Sequence, residues 1–281
     1  MRRFLAGLLT GAFLVSFPII TNVPAEAAPN DSSCELTTGT GSESDPYLIS
    51  DLSEFQEISD CDGSGTYFQL NADLEIESLP SNPTEALLPS FEGHLNGYGF
   101  RIHSGTFQTG SSPAGLIEEI SGISSVRNLT IEGLHFNLSS FDENFGLLGA
   151  NVASGSNLEV TDIDIRDISQ GFPENPNQRF PTMNTGLLFG EVVDSNIDIS
   201  RVRAFTSTDD SNPQIKGFNT GSAIGKSTGS ELSFRDYFFW GSMGSMGGSA
   251  GGLIGQVGDS SSGGDRVDVE SVSINGVLVN D

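Results

Sequence analysis

The chain has 281 residues, with 12 Lys plus Arg against 37 Asp plus Glu, a formal net charge of −25. That balance excludes nucleic acid as a partner, because phosphate binding needs a basic footprint, and it disfavours anionic membranes and acidic polysaccharides. A charged fraction of 17% and 19 Phe separate it from disordered acidic chains, and 35 Gly among short apolar runs point to an all-β protein rich in turns.

In chain order, the first element predicted is an export signal. Arg2 and Arg3 supply positive charge, 4–17 is apolar but short for a bilayer span, and Ala25-Glu26-Ala27 fits the small-x-small cleavage rule. The expected signal peptide is 1–27, and the mature product is expected to be extracellular: released, or held at the surface by non-covalent contacts. No later stretch is long and apolar enough to span a membrane, and Asn280-Asp281 carries no sorting signal. Cys34 and Cys61 both follow the cut, and two cysteines in an exported chain are expected to pair. Such a bridge contributes about 3 kcal/mol on a chain-entropy model.

Residues 28–104 read as an N-terminal cap with the first solenoid strands. Leu52, Phe55 and Ile58 lie on one helical face, with Ser50 or Asp51 as N-cap, so one short helix is predicted. Strand-like runs follow at Tyr67–Leu70 and Phe91–Leu95.

Residues 105–281 are repetitive. A Gly-apolar box occurs at Gly115-Leu116-Ile117, Gly146-Leu147-Leu148-Gly149, Gly186-Leu187-Leu188-Phe189-Gly190, Ser222-Ala223-Ile224-Gly225 and Gly252-Leu253-Ile254-Gly255. After each box comes an alternating triplet: Leu129-Thr130-Ile131, Leu158-Glu159-Val160, Ile197-Asp198-Ile199, Leu232-Ser233-Phe234 and Val267-Asp268-Val269. Two residues then break the alternation, which is the signature of a strand turning a corner, since otherwise the buried face would reverse. Short strands joined by corners cannot bury an inner face singly, but stacked copies can. The predicted fold is therefore a parallel β-helix or solenoid of about five rungs with an N-terminal cap, and a β-sandwich is the alternative. The box glycines suit either φ > 0 corners or close packing between rungs. Asn275-Gly276 between two apolar runs predicts a closing hairpin.

The stretch Gly41-Ser42-Glu43-Ser44-Asp45-Pro46-Tyr47-Leu48-Ile49, the helix after it, Tyr67–Leu74 and Phe91–Ile102 resemble the opening of secreted bacterial surface proteins with GLUG repeats, and the boxes resemble that repeat. The resemblance spans 39–281. It implies a solenoid that accompanies adhesins and exported surface enzymes as a non-catalytic module, and it carries over no catalytic residues.

Motifs for chemistry are sparse. Gly221–Ser227 is one residue short of a phosphate-binding loop and coincides with a box. The register above stacks Thr130, Glu159, Asp198, Ser233 and Asp268 in one outward column, with Asp162 and Asp164 close by. Glu159 and Asp198 are thus weak candidates for an acid–base pair, or for ligands in a Ca²⁺ site, and otherwise form a solvated acidic face. No other cofactor is expected. The segments 137–144, 166–184, 204–220 and 240–250 read as insertions leaving one corner, which would stack into a single binding edge. They carry Phe172, Phe180, Phe205, Phe218 and Trp240, the candidate ligand-binding residues, beside Met243 and Met246. The function expected is a secreted, non-enzymatic solenoid that contacts cell-surface carbohydrate or protein. The alternative is a polysaccharide-degrading glycosidase or lyase on a right-handed β-helix, although few basic residues are present to neutralise a lyase's substrate.

Overall fold

A computed structural model describes residues 34–79, 81–109, 113–138, 144–171, 183–206, 215–245, 248–258 and 264–280. The expected signal peptide lies outside them. The described chain winds as a parallel β-helix with three sheets. The largest takes Tyr47–Ile49, Tyr67–Leu70, His94–Asn96, Ile123–Leu138, Asn157–Gly171, Asn196–Thr206 and Glu231–Ser245 in spatial order. The second stacks Leu88–Phe91, Ile117–Ile120, Gly149–Val152, Phe189–Val193, Ile224–Thr228 and Ile254–Val257. The third stacks Phe145–Gly146, Asn184–Gly186, Asn219–Gly221 and Ala250–Gly251. One rung visits all three, as Asn184–Gly186, Phe189–Val193 and Asn196–Thr206 do in succession.

Inward residues stack on their equivalents. Val126, Val160, Ile199, Phe234 and Val269 form one such column. Its first four members are fully buried. Phe107 lies 4.5 Å from Phe136, which meets Phe145 edge-on at 5.0 Å. Polar groups enter the interior as ladders: Asn219 donates to Asn184 at 2.8 Å, and Asn184 to Asn144 at 2.9 Å, so each buried amide is partnered by the rung before it.

Four of the five corners fall where the alternation breaks, and the first lies before Leu129 and not after Ile131. Asn128, Asp162, Arg201, Asp236 and Ser271 share one corner with φ of 54, 56, 51, 53 and 56°. Left-handed backbone costs a non-glycine residue about 1–2 kcal/mol. At Asp162 and Arg201 this is offset in part by the guanidinium bonding the carboxylate at 2.7 and 2.9 Å and Thr161 Oγ1 at 2.7 Å.

The box glycines serve the second of the two expected roles. Gly146, Gly186, Gly221 and Gly251 are register partners. A Cβ on Gly186 would overlap the carbonyl oxygens of Phe189 and Ala223, so backbone meets backbone there. This register shifts two boxes by one residue: Gly221 and Gly251, not Ser222 and Gly252, match Gly186. Ser222 then occupies the place of Leu187. In the same rung Tyr237 replaces Val202, and its buried hydroxyl donates to the Ser222 carbonyl at 2.5 Å. Volume lost at one position is regained at the other.

The cap forms as expected, with its helix broken in two. Leu52–Gln56 is N-capped by Asp51, whose carboxylate accepts the Glu54 N–H at 2.9 Å, while Glu54 accepts the Ser50 N–H at 2.7 Å. Ile58–Cys61 follows. Leu52, Phe55 and Ile58 cover the first rungs, and a Cys34–Cys61 disulfide ties the segment down with a Cα–Cα distance of 4.7 Å. Strand Arg101–Thr109 runs across residue 104, so the cap grades into the solenoid without a break.

Three sequence expectations are corrected. Ser273–Asn280 is one parallel strand with no hairpin, pairing Asn275 with Trp240 and Gly276 with Gly241. Gly276 is there because a Cβ would strike the Gly241 carbonyl. Much of the supposed insertions is also strand: the third-face run continues to Gly171, to Thr206 and to Ser245. Gly241 and Met243 are buried in it rather than looped out. Finally, the first repeat is out of step. Leu129 pairs with Ile163, while Ser125 pairs with Glu159. The cause is Ser124, buried where Leu158, Ile197 and Leu232 point inward, its Oγ donating to the Ser121 carbonyl at 2.7 Å and accepting the Gly93 N–H at 3.1 Å.

Candidate functional site

The corrected register rebuilds the outward column on the largest sheet as Tyr67, His94, Ser125, Glu159, Asp198, Ser233 and Asp268. Thr130 leaves it and stands beside Asp164. From Tyr67 to Asp198 the column crosses four strand spacings, roughly 19 Å at about 4.8 Å each. It forms the floor of an open groove of about 410 Å³, lined also by Glu43, Ile123, Arg127, Asn157 and Asn196.

His94 is the best-ordered polar side chain in this groove. Its ring stacks on Tyr67 at 4.3 Å, and its Nδ1 lies 2.9 Å from Ser125 Oγ. Burial, helped by the nearby Arg127 charge, holds its pKa below the ordinary 6.5, against the opposing pull of Glu43 and Glu159. The imidazole is therefore neutral at neutral pH. Further along, Asn196 donates to Asn157 at 3.0 Å. Glu159 and Asp198 are adjacent, as expected, but Asp198 is bound by Arg235, and its Oδ1 is buried without a partner. Asp162 and Asp164 do not join them. They belong to the corner and the third strand, where Arg201 and Arg166 pair with them. Among the described residues no three His, Cys, Asp or Glu side chains are placed to hold a metal ion.

The candidate aromatic residues divide. Phe205 on Asn196–Thr206 and Trp240 on Glu231–Ser245 are register neighbours pointing outward, 39% and 49% exposed. Phe238 completes the ridge, its ring centroid 5.3 Å from that of Phe205. Beside them runs a shallow groove of about 560 Å³ lined by Asp162, Ile163, Asp164, Arg201, Arg203 and Asp236. Arg203 pairs in register with Phe238 and makes no ion pair among the described residues. Phe218 is elsewhere, half-buried at the bend between Ile215–Gly217 and Asn219–Gly221, its carbonyl accepting from Ser245 Oγ at 3.0 Å. Phe172, Phe180 and Met246 lie outside the described residues. Sequence reasoning missed Tyr67, His94, Ser125 and Phe238. The alternation around His94 and Tyr67 was a usable signal for two of them, but joining them to Glu159 needed the true register.

No protein-family model matches the chain. Over 159 residues it is 28% identical to a protein of Evansella cellulosilytica described as a "Putative Gly-rich membrane protein", a match covering 54% of this chain and 18% of that one. The chain thus spans less than a fifth of that relative's length. Among the described residues, no helix is long and apolar enough to cross a membrane. In three dimensions it is similar to a chain described as a "putative immunoglobulin A1 protease from Bacteroides ovatus", with a TM-score of 0.59 and 15% identity over 86% of this chain and 69% of that one. At that identity the likeness is one of fold, and the fold is a β-helix.

Proposed function

We propose that this chain is an extracellular β-solenoid of the GLUG-repeat kind that acts as a non-enzymatic interaction module for cell-surface carbohydrate or protein. The observation that carries the reading is the outward ridge of Phe205, Phe238 and Trp240. Three large rings kept at the surface of a protein with an ample core are contact groups, since each could otherwise be buried at a gain of about 1.5–3 kcal/mol. The disulfide and the similarity to a protein described as a membrane protein support an extracellular setting. Phe172 and Phe180, outside the described residues, are proposed as further ligand contacts. The test is a glycan and surface-protein array probed with the wild type and with Phe205→Ala/Trp240→Ala. Loss of the array signal, with circular dichroism and Tm nearly unchanged, supports the ridge, and an undiminished signal refutes it. A second reading, hydrolysis of a polysaccharide, draws on the adjacency of Glu159 and Asp198 in the long groove.

A further inference from the structure

We propose that the groove floored by Tyr67, His94, Ser125, Glu159 and Asp198 is a second binding site, separate from the aromatic ridge, and that it takes a neutral oligosaccharide. A sugar chain is apolar on its ring faces and studded with hydroxyls at its edges, so a site for it needs flat apolar surface beside alternating donors and acceptors. The groove has both. Tyr67 and His94 stack face on face into one aromatic block, and Ile123, 57% exposed, lines the same groove as an outward branched side chain on the sheet. Exposed Ile with an aromatic pair is costly to leave in water and gains by being covered.

The polar groups suit hydroxyls in number and kind. Asn157 and Asn196 retain unused amide capacity after their single mutual bond. Glu159 accepts and Arg127 donates, both lining the groove. The His94–Ser125 bond and the stacking on Tyr67 fix the imidazole, so the aromatic block is organised before a ligand arrives.

Charge decides the class. Glu43, Glu159 and Asp198 face Arg127, with Arg235 closing on Asp198, which leaves the groove close to neutral within a strongly acidic protein. A polyanion is repelled by the whole molecule. A metal is not served, because no three-ligand cluster exists among the described residues.

Affinity electrophoresis tests this with gels containing barley β-glucan, xyloglucan or galactomannan as neutral probes, and polygalacturonate or chitosan as charged controls. At least one neutral gel should retard the wild type. Ile123→Glu and Arg127→Ala, both at exposed positions, should each weaken that retardation by about tenfold or more in apparent Kd, roughly 1.4 kcal/mol. Phe205→Ala/Trp240→Ala should leave it unchanged, which separates this site from the ridge. Retardation by none of the neutral gels, retardation only by a charged polymer, or equal retardation of the groove variants and wild type would each overturn the proposal.

Discussion

A single column of the core shows how burial, not residue type, sets the cost of a change. Ile199 and Val269 occupy equivalent inward positions two rungs apart, yet Ile199 is fully buried and Val269 is 56% exposed because no described rung covers it. Ile199→Ala should cost about 2–5 kcal/mol, and Val269→Ala under about 1 kcal/mol, by urea unfolding. Equal costs would contradict the column. His94 provides a second check at this scale. Its folded pKa lies below the ordinary 6.5, so the unfolded chain binds the proton more readily. Its contribution to stability is therefore complete above that value and drains away as pH falls through it. NMR titration of the His94 ring should give a midpoint below 6.5. A midpoint at 6.5 would mean that the ring is solvated, and one above it that Glu43 and Glu159 outweigh burial; either would contradict the buried stack on Tyr67.

At the scale of elements, the box is the unit that stacks rung on rung. Gly186→Ala forces a methyl into two carbonyl oxygens and should cost about 3 kcal/mol, near the upper end of overpacking penalties. Gly65→Ala, at a site with open space around the added methyl and no positive φ, should change Tm little. Similar melting points for the two variants would remove the box from its role. The box, the alternation, the corners and the Asp51 cap were all legible in the sequence because each follows from local chemistry. Register was not. Ser124 breaks the apolar alternation of its strand, so pattern matching moved the first repeat along to Leu129. Gly241, Ser242 and Gly244 have low strand preference, yet they are strand, because Glu231–Ser245 is fixed by Ser273–Asn280 on one side and, at its two ends, by Asn196–Thr206 and Ile215–Gly217 on the other. Asn275-Gly276 carries a turn signal that the neighbouring Gly241 overrides. The groove was half legible for the same reason: Glu159 and Asp198 were placed side by side, but the residues that give them context needed the pairing across rungs.

At the scale of the molecule, the two ends differ. The N-terminal end is closed by two short helices and a disulfide. The last described rung leaves Val257 and Val269 exposed, and its strand Arg266–Glu270 turns Arg266, Asp268 and Glu270 outward. Charged side chains on an edge strand discourage unwanted pairing, and the large negative charge adds to that. Between the ends, two outward surfaces of the described residues carry groups suited to contact, the long groove and the aromatic ridge. The most direct test of a binding module is therefore what becomes of a bound glycan. The mature protein should be held overnight with each polysaccharide that retains it, and the polymer then recovered and assayed for chain length, new reducing ends and unsaturated termini. Intact polymer released at its original length is the expected result. New reducing or unsaturated ends that vanish in Glu159→Gln would contradict it and make the groove an active site.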